Sequence, residues 1–278
     1  MSLTIFLAVM FAAFLHAGWN ALIKLGTSKL TSMFILTTVQ AGIGGVVAIS
    51  RDFPQGGVWW WLISSGALHT IYKYFLAFAY DHGDLSRVYP IARGAAPLAV
   101  LLIGALVLND HVTPIEYGGV IVLGLGILWM ARGVFSSNES RRLIPLALGS
   151  AAATAAYSLV DGLGARLSGD AVTYVAWIFV FDGALFFPLT LGLHGPGMLR
   201  ASPRIWIMGA VASVLSYGAY AIAVWAMTQA PIALVSALRE TSILFAVLIG
   251  WLFFGEKMDR NKAWAAGLVV LGVVLTRL

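Results

Sequence analysis

A chain of 278 residues, 60% hydrophobic and only 10% charged, lies outside the range of soluble domains, which are about 45–50% apolar and about 25% charged. The net charge of +5 is scattered over polar connections and forms no nucleic-acid patch. The absence of cysteine excludes disulfides, thiolate metal sites and cysteine nucleophiles.

The hydrophobic residues fall into runs of about 20, the length of a membrane-crossing helix, whereas barrel strands would be about 10 residues long and alternating. Ten spans are predicted, at 3–23, 31–49, 59–79, 86–108, 114–131, 143–164, 172–192, 203–227, 231–254 and 261–276. The first begins at Leu3 with no basic residue before it, so no cleavable signal is expected. The polar stretch 133–142 is expected to link two units, 1–132 and 143–278. Trp59, Trp60 and Trp61 at the head of the third span, with Trp129, Trp206 and Trp264, suit an interfacial belt. Ala41 with Gly45, and Gly209 with Ser213, would let helices approach closely.

Candidate site residues follow the same order. His16, Trp19 and Asn20 share one face of the first span, where an imidazole and an amide can hold a polar ligand group or bond a neighbouring helix. Tyr74 and Phe78 share a face of the third, which also carries His69, Tyr72 and Lys73. Tyr89 and Arg93 lie one turn apart in the fourth, with Pro90 between them. Tyr157 and Asp161 share a face of the sixth, and Trp177 and Phe181 one of the seventh, beside Asp182. Tyr217 and Tyr220 follow in the eighth, then Ser236, Arg239 and Glu240 in the ninth. Charges within such runs cost roughly 2.5–3.5 kcal/mol each and persist where they face a bundle interior or a watery cavity. An arginine can pair a substrate carboxylate, or a structural one such as Asp161, Asp182 or Glu240. Adjacent helical residues point apart, so Arg239 and Glu240 are expected to serve different contacts. Buried Asp161, Asp182 and Glu240 are candidates for proton coupling and equally for salt bridges.

The two halves repeat. A shift of 146 lays Tyr74 on Tyr220, Arg93 on Arg239, Leu102-Ile103-Gly104 on Leu248-Ile249-Gly250, and Asp110 on Glu256. A shift of 138 lays Ala17-Gly18-Trp19-Asn20 on Ala155-Ala156-Tyr157-Ser158. Five spans per unit is an odd number, so the second unit enters the membrane from the opposite side. Inverted-topology repeats of this kind belong to secondary transporters whose substrates bind near the midplane.

The pattern Pro97-x(6)-Gly104-x(5)-Asp110, echoed by Gly250-x(5)-Glu256 and then Gly267 and Gly272, with Ala17-Gly18-Trp19-Asn20 and Lys24 closing the first span, resembles the EamA-type members of the drug/metabolite transporter superfamily. The chain looks most like the YddG-type exporters of aromatic amino acids within it. Asp110 stands where the first half usually has Glu, and Ile243 where the second half often has Pro. The resemblance implies an all-α, ten-helix carrier in the inner membrane, working by alternating access on amino acids or related metabolites. Its partners would be a small-molecule substrate and the lipid bilayer, with no nucleic acid, and the expected state is a monomer. Multidrug or cation efflux is the alternative, served by cation–π contacts, and a membrane-embedded enzyme or receptor is the rival outside transport. No HExxH, Walker A, GxSxG or metal-ligand cluster occurs, so no catalytic residue, metal or cofactor is expected.

Basic residues in the connections and at the span ends beside them predict an orientation. Odd-numbered connections carry Lys24, Lys29, Arg87, Arg132, Arg141, Arg142, Arg200, Arg204, Lys257, Arg260 and Lys262, against Arg51, Arg166 and Arg277 elsewhere. The positive-inside rule then places the termini outside, while the resemblance implies cytoplasmic termini.

Overall fold

The computed structural model describes the chain except residues 25–27, 81–84, 131–142 and 256–259, and gives only the backbone of 24, 29, 80, 85–89 and 254. The predicted linker 133–142 and Glu256 thus lie outside the described residues. All regular structure among the described residues is helical. The helices are α1 (Leu3–Lys24), α2 (Lys29–Ile49), α3 (Val58–Tyr80), α4 (Leu85–Val107), α5 (Pro114–Met130), α6 (Leu143–Ser168), α7 (Ala171–His194), α8 (Pro203–Gln229), α9 (Ile232–Arg239), α10 (Ser242–Phe254) and α11 (Arg260–Leu275).

Helices form here because apolar runs surrounded by lipid must satisfy their own backbone groups. Their ends carry local stop and start signals. Ser28 caps α2, accepting from the Thr31 N–H. Asp170 caps α7, accepting from the N–H groups of Val172 and Thr173. Pro203 opens α8, where a missing donor costs nothing. Gly255 ends α10 in the left-handed conformation, at φ 66°, which only glycine adopts freely.

Among the described residues, seven stretches are long and apolar enough to cross a membrane: Leu3–Ile23, Leu30–Ile49, Pro90–Val107, Leu143–Ser168, Ala171–His194, Pro203–Gln229 and Ile232–Phe253. α5 is apolar but shorter. Polarity runs inside out. Leu7, Phe11, Phe14, Val46, Ile49, Trp251 and Phe253 are exposed, whereas Lys73, Arg93, Asp161, Asp182, Arg239 and Glu240 are buried.

The helices pair across the two halves of the chain. α1 packs on α8, α3 on α6, α2 on α7 and α5 on α11, while α4 lies between α5 and α6. Small residues set the closest approaches. A Cβ on Gly119 of α5 would stand 2.9 Å from the Gly272 carbonyl oxygen of α11, and one on Gly272 would stand 2.6 Å from the Leu123 nitrogen. The predicted Gly209/Ser213 contact forms: Gly209 meets Ile35, and the Ser213 hydroxyl donates to the Leu36 carbonyl at 3.1 Å. Ala41 packs on Gly183, but Gly45 meets nothing within 4 Å.

The run 231–254, predicted as a single span, is broken. α9 ends at Arg239 and α10 begins at Ser242. Between them the Glu240 and Thr241 N–H groups reach back three residues, to the carbonyls of Ala237 and Leu238. The Thr241 hydroxyl also donates to the Leu238 carbonyl, at 2.6 Å. One turn is therefore wound as a 3₁₀ helix, a feature that in mid-helix marks a hinge or a strained site. α4, which carries the matching Arg93, runs on despite Pro90 and Pro97.

Candidate functional site

The break at 239–241 delivers two opposite charges to one place. Arg93 of α4 donates from Nη1 to both oxygens of Glu240, at 3.1 and 3.2 Å. Arg239 reaches the same carboxylate at 3.4 Å, and the Tyr157 hydroxyl of α6 at 3.4 Å. The expectation that Arg239 and Glu240 serve different contacts is therefore corrected. It assumed a continuous α-helix, and the 3₁₀ turn brings the neighbouring side chains back together.

His16 of α1 completes this side of the centre. Its Nε2 meets the Arg93 guanidinium, and the Trp19 indole faces its Nδ1 at 3.2 Å. Both neighbours are donors only, and a neutral imidazole offers one acceptor nitrogen. His16 can satisfy one of them at a time. Asn20 turns its amide to the His16 carbonyl at 2.7 Å, a bond within its own helix.

A second polar group lies against the first. Asp161 of α6 is fully buried, and its Oδ2 accepts from the Tyr220 hydroxyl of α8 and from His69 Nε2 of α3, the latter at 3.1 Å. The Tyr157 ring stacks on His69, with centroids 4.2 Å apart. The Arg239 guanidinium carbon stands 5.8 Å from the Tyr157 centroid and 5.7 Å from that of Tyr220. Two tyrosines thus separate a guanidinium from a carboxylate.

Several buried polar atoms here have no hydrogen-bond partner: Arg239 Nε, Asp161 Oδ1, Ser236 Oγ and Ser242 Oγ. Buried polar groups are as a rule paired, because an unmade bond costs about 1–3 kcal/mol. The Ser65, Ser150, Trp177 and Tyr217 side chains carry further unpaired buried atoms among the described residues.

A third cluster stands apart. Lys73 of α3 forms an ion pair with Asp182 of α7, and its ammonium also donates to the Thr37 hydroxyl at 2.7 Å. Thr70 adds a hydrogen bond to Asp182 at 3.4 Å, and the Lys73 ammonium lies over the Phe186 ring. With Arg93, Arg239, Glu240 and Asp161, these make three buried cations and three buried carboxylates among the described residues.

Of the sequence candidates, the structure brings His16, Trp19, Arg93, Tyr157, Asp161, Tyr220, Arg239 and Glu240 into one network, with Ser236 one turn before Arg239 on α9. Other candidates are placed elsewhere. Tyr74 shares a hydrogen bond with Thr190 and packs on Phe186. Phe78 is 44% exposed on the outer surface. Trp177 and Phe181 gather with Trp59 and Phe53 near the start of α3. Tyr217 packs its ring on Phe179. The side chain of Tyr89 lies outside the described residues. Missing from the predicted set is His69, although a buried carboxylate at Asp161 called for a donor. Lys73 could be matched with Asp182 by opposite charge at mid-span. A groove of about 530 Å³ between α3 and α7, lined by Ala67, Thr70, Ile71, Leu185, Pro188 and Leu189 among others, opens outward and contains none of the central residues.

Comparisons with known proteins agree with this architecture. A protein of known crystal structure superposes with a TM-score of 0.79 over 99% of this chain and 98% of its own, at 19% identity, which speaks to fold alone. The chloramphenicol-sensitive protein RarD of Pseudomonas aeruginosa is 26% identical over 188 residues, 65% of this chain. The match spans 58% of that relative's length. The profile of the EamA-like transporter family matches residues 3–132 and again 141–278. An all-helical, multi-pass membrane protein with charges gathered in its interior, the chain belongs to the EamA-like transporter family of the drug/metabolite transporter superfamily.

Proposed function

We propose that this chain is a secondary transporter exporting amino acids, aromatic ones favoured, and related small metabolites across the inner membrane. The observation that carries this reading is the buried Arg93–Glu240–Arg239 group set against the faces of Tyr157 and Tyr220. Arg239 of this group, with the buried Asp161 carboxylate beyond Tyr220, offers both signs of charge to the polar end of a substrate, and the tyrosines offer aromatic surface to its side chain. A net cation could meet Asp161 but would leave Arg239 unanswered and add an uncompensated charge to the interior, which disfavours the multidrug alternative.

Ten crossings in two inverted five-helix repeats, 1–132 and 143–278, with α9 and α10 making one crossing, complete the proposed architecture. The pairings α1–α8 and α3–α6 exchange with one another when the two sets are swapped, while α2–α7 and α5–α11 map onto themselves, which supports that reading. Alternating access follows from the same layout. The 3₁₀ turn at Glu240 is the hinge, and the Arg93–Glu240 pair ties the first repeat to the second. Substrate entry loosens that tie and lets the repeats rock. Glu240 is the carboxylate best placed for proton coupling, since protonation would release Arg93. The carrier works as a monomer with no cofactor.

Uptake of labelled tryptophan, phenylalanine, threonine and ethidium into sealed liposomes holding the purified protein tests the proposal. Flux of the aromatic amino acids, absent in protein-free vesicles, is expected. Movement of ethidium alone would transfer the chain to multidrug efflux.

A further inference from the structure

We propose that the centre holds a zwitterion whose two charges are separately assigned: the carboxylate to Arg239, backed by Ser236, and the ammonium to the free oxygen of Asp161, backed by His69 and Tyr220. The assignment rests on the amino-acid reading above and deepens it.

Arg239 is the under-used cation. A guanidinium has five N–H donors. The Arg239 Nη2 contacts to Tyr157 and Glu240 are both 3.4 Å, longer than the 2.7–2.9 Å usual for charge-assisted bonds. Its Nε is buried without a partner, and so is the Ser236 hydroxyl, one turn earlier on α9. Arg93 cannot take this part, because it is held against both oxygens of Glu240 and against His16.

Asp161 is the matching acceptor. Oδ2 already receives the Tyr220 hydroxyl and His69, while Oδ1 is buried and unpaired. Glu240 is excluded from this role, since Arg93 and Arg239 occupy its oxygens. The orphan donor and the orphan acceptor lie on the same tyrosines: Arg239 stands over both rings, and the Tyr220 hydroxyl bonds Asp161. A ligand carrying both charges on one carbon, with an apolar side chain, meets an unsatisfied atom at each end.

Charge balance favours the same class. Among the described residues, the three buried cations are matched by three buried carboxylates. A zwitterion leaves that balance intact, whereas an amine or an acid alone adds one uncompensated charge to a low-dielectric interior.

The test uses three probes on the purified protein in detergent, with affinity read by calorimetry: L-phenylalanine, phenethylamine and 3-phenylpropionate. Wild-type protein should bind phenylalanine at least about tenfold more tightly than either half-molecule, the margin of one further charge-assisted contact. Asp161→Asn should weaken phenylalanine and phenethylamine by about tenfold or more and leave phenylpropionate within about twofold. Arg239→Gln should show the mirror image, weakening phenylalanine and phenylpropionate. Tyr220→Phe removes a single hydroxyl and should give a smaller loss confined to the amine-bearing probes. Equal weakening of all three probes by Asp161→Asn, or unchanged phenethylamine binding, overturns the assignment while leaving export standing. No binding of any probe to the wild type, with no amino-acid flux in sealed liposomes, overturns the exporter reading and this assignment with it.

Discussion

Two buried charge clusters in this bundle are built differently. The Lys73–Asp182 pair is closed: Thr37, Thr70 and the Phe186 ring complete it, and none of its atoms is orphaned. The cluster of Arg239 and Asp161 is open. It has long contacts, a bare Nε and a bare Oδ1. Burial is similar in both, and the completeness of hydrogen bonding is what differs. Under the proposed function the sealed pair serves the fold, and the incomplete cluster keeps donors and acceptors for the ligand.

That contrast breaks most sharply at Lys73 and Asp182. Removing one partner, as in Asp182→Ala, should cost about 3–5 kcal/mol by leaving a lone charge in the interior. A large drop in detergent Tm or loss of the monodisperse peak would show it. The double variant Lys73→Met/Asp182→Leu should regain most of that stability and keep transport, because a closed pair can be replaced by apolar packing. A stable double variant without flux would place this pair in the transport site.

The opposite behaviour is expected at Arg239. Arg239→Gln should lower amino-acid flux about 100-fold with a much smaller change in Tm, since few of its donors are engaged in the resting protein. Matched unfolding curves and liposome uptake separate the two effects. Equal loss of stability and flux would make Arg239 another structural charge.

A control outside both clusters is the α5–α11 contact. Gly272→Val forces a side chain toward the Leu123 backbone, and overpacking of this kind costs about 1–3 kcal/mol. The Tm should fall while the affinity of the folded fraction for substrate stays the same.

The smallest effect is expected at Asp170, the cap of α7, which lies between two of the apolar stretches. Partial burial raises its carboxyl, but hydrogen bonds from the Thr173 hydroxyl, the Thr173 and Val172 N–H groups, and the Arg51 charge outweigh it and hold the group below its ordinary value. A depressed carboxylate stabilises the fold above its unfolded value of about 3.9 and loses that contribution as pH falls through the folded value. Asp170→Ala should therefore cost about 1 kcal/mol at neutral pH, with the gap from wild type closing in Tm scans taken toward acid.

Much of the architecture is legible in the chain. Apolar runs mark the helices to within a few residues, since lipid leaves a backbone no other way to satisfy itself. The break inside 231–254 is not legible, because its apolar pattern continues through Ile243 and Leu244 and only backbone hydrogen bonding reveals the turn. The repeat matches Arg93 with Arg239 by position only, and the structure brings both to Glu240. The same shift pairs Tyr74 with Tyr220, yet Tyr220 faces Asp161 and Tyr74 faces Thr190. The 146 shift also lays His69 on Leu215, and the 138 shift lays Asp161 on Ile23. His69 and Asp161 thus have apolar counterparts in the repeat, and the acidic side of the centre is assembled from both halves, His69 from the first and Asp161 and Tyr220 from the second.

The sequence by itself determined a helical membrane protein with charges at depth, because hydrophobic length and the cost of burying charge are properties of short segments. Only the tertiary structure decided which carboxylate answers which cation. Lys73 and Asp182 are 109 positions apart, and Arg93 and Glu240 147. A hydrogen bond depends on a separation near 3 Å and on direction, and neither is written in the chain until the helices have packed.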